Sequence, residues 1–373
     1  MCKGKMMGFG KTRYRRPLSL KRSIQGQTLI ELMVALTIGM LLIASVSATF
    51  EWTNSNFSQD QGAARMQENA RYAIEDITKD LQMSDFLFNV VDETGVQTAL
   101  VNNKVNSDCG TTGTQWVISL DKLVDTQSQQ TTSNISTAHS CINSANLHTV
   151  GNTGSEFTDV LIIKRVKPPT TTLETGKMYL QTTKTGGARL ILHNNSANPA
   201  SGDAGYVEGF DGATYMEYSP VIYYVGKGEQ ADSSILQRKS LSGINDGSTN
   251  TLNMETEEGG IAENIEYFHV MWGIDEEMID GIAATAPDGN PNFFVSTPTA
   301  AQQAGIIAAK IFVLVKNGNI DGNYLDDKQY TLGDVTVPPN GTFNDKYKRK
   351  VFSSTVMLRN RTIRNNLDLV FNQ

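Results

Sequence analysis

The chain has 373 residues, with 32 Lys/Arg against 39 Asp/Glu and a formal net charge of −7. Eight of the cations (Lys3, Lys5, Lys11, Arg13, Arg15, Arg16, Lys21, Arg22) lie in the first 26 residues, which carry no acid, so the remainder holds 24 cations against 39 acids, a charge of −15. An acidic bulk argues against general nucleic-acid binding, which needs clustered cations against phosphate, though it leaves room for a small basic patch, and the length allows a substantial buried core.

The basic leader ends at Gly26-Gln27-Thr28-Leu29-Ile30-Glu31, and an apolar run from Leu29 to Phe50 follows with Glu31 as its only charge. A helix from Thr28 to Phe50 is roughly 34 Å long at ~1.5 Å per residue, enough to cross a ~30 Å hydrocarbon core. The leader cations place its N-terminus in the cytoplasm and the rest of the chain outside. An ordinary secretory signal has a shorter apolar region, with small residues at a cut behind it. Arg15-Arg16 before the run and Val46-Ser47-Ala48 after most of it keep that alternative open. The Gly at the polar-to-apolar junction, with a carboxylate five residues on, resembles the type IV prepilin signal instead. By that resemblance the prepilin peptidase cuts after Gly26, Gln27 is the new and N-methylated terminus, and Glu31 is the fifth mature residue. Its carboxylate then pairs with the terminal amine of a neighbouring subunit. The alternative for Glu31 is an interfacial side chain that snorkels to water.

Beyond Phe50, Ala63, Met66, Ala70, Ala73/Ile74, Ile77 and Leu81 recur at steps of three and four, drawing one apolar stripe. Glu68, Arg71, Glu75, Asp76, Lys79 and Asp80 are expected on the other faces. No proline falls between Pro17 and Pro168, so one helix is expected from about Leu29 to about Met83. From Trp116 the pattern becomes short β-rich runs: Trp116–Leu120, Val160–Val166, Met178–Thr182, Arg189–His193, Val221–Gly226, Ile235–Arg238, Ile265–Ile274, Lys310–Lys316, Tyr330–Val335 and Lys350–Leu358. The polar intervals Asp125–Glu156, Asn194–Ala213 and Glu276–Ala304 read as long surface loops, with a short helical turn at Gly305–Ile307. The sum is α+β, a type IV pilin-like spine helix packed on an antiparallel sheet head with long loops. Its parts are a leader (1–26), a transmembrane half (27–50), an amphipathic half (51–85) and a periplasmic or extracellular head (86–373).

Cys109 and Cys141 bracket a Ser/Thr/Asn-rich insertion, and a disulfide closing that loop is expected outside the cell; two separate buried thiols are the alternative. His139, His148, His193 and His269 show no metal-ligand spacing, and no nucleophile elbow or phosphate loop occurs. No enzyme and no cofactor are expected. His269, in an apolar run, reads as a satisfied core or sheet-surface side chain rather than a base. Asn317-Gly318-Asn319-Ile320-Asp321-Gly322 resembles half of a Ca²⁺ loop, but Lys328 stands where such loops carry Glu. A turn-rich hairpin loop is the preferred reading of Asn317, Asn319 and Asp321.

Three further stretches resemble the PilW family of minor pilins: Met66-Gln67-Glu68-Asn69-Ala70-Arg71-Tyr72-Ala73 with Asp80-Leu81-Gln82; Ala262-Glu263-Asn264-Ile265-Glu266-Tyr267 with Trp272-Gly273-Ile274-Asp275; and Tyr347-Lys348-Arg349 through Val351-Phe352-Ser353 to Leu358-Arg359-Asn360. The resemblance implies a structural part of a pilus initiating or tip complex. Other minor pilins, the major pilin, the prepilin peptidase and inner-membrane lipid are its implied partners. A J-type pseudopilin of type II secretion shares the plan, and a tip adhesin or DNA-uptake module is the rival of another class.

Overall fold

A computed structural model describes residues 28–87, 96–98, 104–105, 117, 120, 122–150, 157–174, 176–183, 187–193, 213–230, 232–243, 251–257, 259–279 and 288–363. Helix α1 (Leu29–Gln82) meets its expected bounds within one residue. The chain divides into two compact units, residues 1–59 and 60–373.

In the first unit the helix is exposed nearly all round, with Leu29 at 76 % and Leu41 at 71 %. Four of its hydroxyls donate within the helix: Thr37 to Val34 O, Ser45 to Leu42 O, Thr49 to Ser45 O and Thr53 to Thr49 O, at 2.8–2.9 Å. Such back-bonding lets a hydroxyl sit on an apolar helix surface without an unpaired donor.

In the second unit the strands are, in order, β1 (Gln97–Thr98), β2 (Lys104–Val105), β3 (Val124–Gln130), β4 (Thr158–Ile163), β5 (Val166–Thr170), β6 (Met178–Thr182), β7 (Ala188–Leu192), β8 (Thr214–Tyr218) and β9 (Val221–Lys227). They continue as β10 (Ser234–Gly243), β11 (Thr251–Thr256), β12 (Ala262–Glu263), β13 (Ile265–Ile274), β14 (Phe293–Val295), β15 (Ile306–Lys316), β16 (Tyr330–Leu332), β17 (Val335–Val337) and β18 (Arg349–Met357). A short helix α2 (Thr132–Ala138) follows β3. Among the described residues four sheets result, ordered β1-β7-β6-β8-β5, β2-β11-β10-β9-β4-β3 with β12 on β10, β14-β13-β15-β18, and the hairpin β16-β17. Pairing is antiparallel except β1 with β7 and β2 with β11.

Strand alternation builds three cores. In β4 and β9, Leu161, Ile163, Val221, Tyr223 and Val225 face a core shared with Met66, Ala70, Ala73, Ile77 and Leu81 of α1, and with Phe268, Val270, Trp272, Ile311 and Val313 of the four-stranded sheet. Their neighbours Val160, Ile162, Ile222 and Tyr224 face a second core under the five-stranded sheet, with Leu180, Leu190 and Met216. Tyr267, Met271, Phe312 and Leu314 form a third with Leu332, Val335 and Val337 of the hairpin.

Several expectations are corrected. Asp125–Glu156 is not one loop, since it contains most of β3, the helix α2 and a 3₁₀ turn at Ser144–Asn146. Glu276–Ala304 likewise contains β14 and two 3₁₀ turns, and the helical turn is Ala301–Gln303, while Ile306 already begins β15. Val160–Val166 is split between β4 and β5, and Tyr330–Val335 folds back at Gly333, whose φ of 69° suits only glycine without strain. The described residues of Trp116–Leu120, Val117 and Leu120, lie outside strands, and strands β8 and β11 are additional. Asn194–Ala213 falls outside the described residues except for Ala213. On α1, Gly62 rather than Ala63 is buried, and Asp80 faces inward at 4 % exposure.

Candidate assembly site

Gly26 and Gln27 lie outside the described residues. Glu31 occupies the first turn of α1, where Thr28 Oγ1 accepts a hydrogen bond from its backbone N–H at 3.3 Å, and its side chain is exposed. A carboxylate there complements the positive end of the helix dipole. Its surroundings are the exposed Leu29, Ile30, Leu32, Met33 and Val34.

The second candidate is the seam where the spine residues 60–82 join the head, and it draws on all three resembling stretches. Asn69 donates from Nδ2 to Glu263 O at 2.8 Å. Glu266, next on β13, holds Lys316 Nζ at 2.6 Å and Arg349 Nε at 3.3 Å. Arg349 also reaches Asp326 at 2.9 Å and Asp345 at 2.6 Å, with its guanidinium 3.7 Å from the Phe343 ring centroid. Burial pushes the Glu266 carboxyl up, but Arg349 and Lys316 outweigh it and hold it below the usual range. At the far end, Asn360 Nδ2 donates to Gln82 O at 3.0 Å and Ser84 O at 3.1 Å, while Arg361 pairs with Asp85 at 3.0 Å. Those bonds satisfy carbonyls that a helix C-terminus otherwise leaves open.

Between these ends Asp80 receives Arg165 at 2.8 Å, Arg238 at 2.9 Å and the Tyr223 hydroxyl at 2.7 Å. Burial alone raises its pKa, and Arg238, Tyr223 and Arg165 overcome that and lower it. An aspartate expected on the solvent face is thus the central ion of the seam. No local pattern could have found it, because its partners lie 85 and 158 residues away.

The glycine of Trp272-Gly273-Ile274-Asp275 has a packing reason: a Cβ there would lie 2.9 Å from Phe294 and Pro291. Asp275 closes the turn by accepting from Glu277 N at 3.2 Å and Gly289 N at 3.1 Å. With Glu277 and Asp288 it forms the one cluster with metal-ligand spacing among the described residues, its oxygens within 4.8 Å of one another. Burial, then Glu277, raises Asp275 to about 6. In the Ca²⁺-like loop, Asp321 pairs with Lys348 at 2.8 Å and accepts from Asn323 N at 3.1 Å. Asn317 packs so tightly on α1 that a Cβ on Gly62 would lie 2.6 Å from its Nδ2. Asn319 N reaches Asn317 Oδ1 only at 3.5 Å, a turn contact. These residues have structural partners.

His269 is fully buried, the core rather than the sheet-surface alternative, and in contacts that the sequence did not suggest. Its Nδ1 lies 2.7 Å from Asp159 and its Nε2 2.8 Å from Asp334 on the β16–β17 turn. Ser128 Oγ is 3.4 Å from Nδ1, Ser296 donates to Asp334 at 2.8 Å, and the Tyr267 hydroxyl bonds Asp159. The Ser–His–Asp composition imitates a hydrolase triad. A general base, however, needs a free nitrogen lone pair facing the nucleophile. Here both nitrogens face carboxylates, which favours the imidazolium. Burial pulls its pKa down, and Asp159 and Asp334 outweigh this and raise it above the ordinary 6.5. Of the other histidines, burial lowers His139 to about 4 and also lowers His148, while His193 meets Tyr179 edge-on at 6.4 Å. Cys141 is buried and disulfide-bonded, and Cys109 lies outside the described residues.

Residues 222–360 match the family model described as Type IV Pilus-assembly protein W, and residues 21–47 match the prokaryotic N-terminal methylation motif. No curated protein and no solved structure matches the chain. The first match spans β13, β15, β18 and Asn360, and the second contains Gly26, Gln27 and Glu31.

Proposed function

This chain is a type IV pilin of the PilW family, and from that premise we propose that it is a minor pilin of the initiating or tip complex that promotes pilus assembly. A pilin's activity is its processing and its docking, consistent with a structural rather than catalytic protein. The observation that carries the reading is the helix of residues 29–59, exposed and without a charge from Leu32 to Phe50, on a chain whose remaining fold is a large three-core head. Such a surface is stable only against lipid or other apolar helices. A head of almost 300 residues crowds a dense filament as its repeating subunit and fits a low-copy position at its end.

In this reading the peptidase cuts after Gly26, Glu31 receives the terminal amine of a neighbouring pilin, and the head stays outside the inner membrane until it reaches the pilus surface. Cys109 and Cys141 close the insertion between them. Neutralising one buried ion by the other fixes axial register, because an unpaired ammonium in hydrocarbon costs several kcal/mol. The test is Glu31→Val. The variant should insert and be processed at Gly26, yet fail to appear in sheared filaments and co-purify weakly with other pilins. Assembly like that of the unmodified chain would remove the pairing role. A mature N-terminus at Thr49, read by mass spectrometry from membranes, would remove the prepilin assignment. Co-purification with a secretion channel in place of a pilus would favour the pseudopilin reading.

A further inference from the structure

Among the described residues the head's three large sheets end in six edge strands, and five are blunted. There β1 and β2 span two residues each and β14 three. β5 carries Pro168 and Pro169 and a register shift against β8. β3 has an irregular register between Gln127 and Gln130, with Gln129 at a φ of 53°. Short edges, prolines and bulges are the usual protections against unwanted strand pairing. β18 has none of these. Its nine residues keep an unbroken register with β15, and Val351-Phe352-Ser353-Ser354-Thr355-Val356-Met357 contains no charge, proline or glycine.

The direction of the free groups follows from two bonds just beyond the ladder. Leu358 N donates to Ile307 O, and Asn317 N donates to Lys348 O. Even-numbered residues of β18 therefore exchange hydrogen bonds with β15, and the N–H and C=O groups of Val351, Ser353, Thr355 and Met357 point outward. Among the described residues no backbone bond reaches them. Ser353, Thr355 and Met357 are exposed. Lys350 and Arg359, both exposed, stand at the two ends of the neutral run.

We propose that the outer edge of β18 accepts an extended strand from a different pilin subunit, which extends the four-stranded sheet and has an uncharged centre with acidic residues toward its ends. This rests on the assembly reading above. The partner's chemistry follows from the edge: backbone pairing supplies affinity, the uncharged run excludes a charge opposite it, and Lys350 and Arg359 favour acids at the flanks. A second copy of this chain does not fit. Antiparallel pairing of β18 with itself requires a twofold axis normal to the sheet. Centred on the neutral run, that twofold brings the exposed Lys350 of one copy toward the exposed Arg359 of the other, so the two like charges at each end of the run face one another.

The test is Thr355→Pro, and separately Ser353→Pro, in the full chain. Each removes an outward N–H and leaves every β15–β18 hydrogen bond in place. The thermal midpoint of the detergent-solubilised chain should stay within a few degrees, while recovery of other pilins with it falls at least tenfold. Hydrogen exchange of the unmodified chain provides the second measurement, independent of whether the variants fold. Peptides covering residues 349–357 should exchange at least tenfold more slowly in the assembled fraction than in the isolated chain. Unchanged recovery with folded proline variants, or unchanged exchange on assembly, overturns the proposal and leaves the minor-pilin reading standing. Differently tagged copies that co-purify through this edge would overturn the choice of partner. If the unmodified chain recovers no pilins at all, the assembly reading itself fails.

Discussion

The two halves of α1 are one uninterrupted helix with opposite design. From Leu29 to Gln59 no residue is buried, and apolar side chains surround the axis as far as Phe50. From Asp60 to Gln82 the apolar residues collapse into a stripe, with Met66, Ala70, Ala73, Ile77 and Leu81 buried and Arg71, Glu75 and Lys79 outside. Helix propensity does not separate the halves, since both are helical. What separates them is where the partner surface comes from. The second half finds it in its own chain, and the first half presents a surface that another molecule must complete. Stability of the head should therefore depend on the second half alone.

The sharpest way to break that comparison is at Asp80. Asp80→Ala leaves Arg165 and Arg238 facing one another across a largely buried seam without their shared anion. The expected loss of head stability is about 3–5 kcal/mol, measured by denaturant unfolding of the full chain in detergent. Since Asp80 titrates below its ordinary range, its contribution is present above the unfolded carboxylate pKa and lost as pH falls through the lowered value. A loss under 1 kcal/mol would mean the two arginines find other partners and the seam is not organised around Asp80.

A matched pair comes next. Ile77 is fully buried, whereas Ile38 is 53 % exposed. Ile77→Ala should cost about 2–5 kcal/mol of head stability, from lost transfer energy and the cavity left behind. Ile38→Ala should change it by less than about 0.5 kcal/mol in the same unfolding measurement. Equal effects would show that the first half contributes to the head's fold.

The parts of this division legible in sequence are those written in short-range periodicity. The span of α1 and its stripe follow from apolar spacing, and the bounds of β6 and β13 are legible because their apolar runs end at turn residues. β3 is not legible, because Val124-Asp125-Thr126-Gln127-Ser128-Gln129-Gln130 has no strand-like alternation of its own. Its conformation is imposed by pairing with β4. The seam shows the same limit. The sequence marks Asn69, Glu263, Glu266, Arg349 and Asn360 as belonging to resembling stretches, but that these residues meet is a property of contacts spanning up to 278 residues. Asp80 reads as solvent-facing until its two arginines are brought over it.

His269 lets the head be tuned without touching α1. Its pKa is raised in the fold by Asp159 and Asp334, against burial, so its contribution is complete below the unfolded value of about 6.5 and is lost as pH rises through the raised one. The slope of stability with pH above the unfolded value of about 6.5 should reach at most about 1.4 kcal/mol per unit from this group. Alkaline loss should appear first as faster hydrogen exchange in β16 and β17, because Asp334 lies on their turn. His269→Gln should flatten that part of the profile. An unchanged profile would assign the alkaline loss to other groups.

The smallest expected effect is at the join itself. Asn360 spans the end of α1, donating to Gln82 O and Ser84 O, so it closes the spine helix with a residue from the far end of the chain. Asn360→Ala removes both donors and leaves two carbonyls that solvent only partly reaches, at an expected cost of about 1 kcal/mol. Amides in the last turn, from Lys79 to Gln82, should exchange faster, while those of Met66 to Ala73 stay protected by the stripe. Asn360→Asp sharpens the reading, because it keeps the shape but offers acceptors to acceptors. It should cost at least as much as alanine, and more as pH rises through the new carboxylate's pKa. If the aspartate variant instead matches the unmodified chain, the side chain is not held against those carbonyls, and the spine's C-terminus is closed by packing of Leu81 and Leu358 alone.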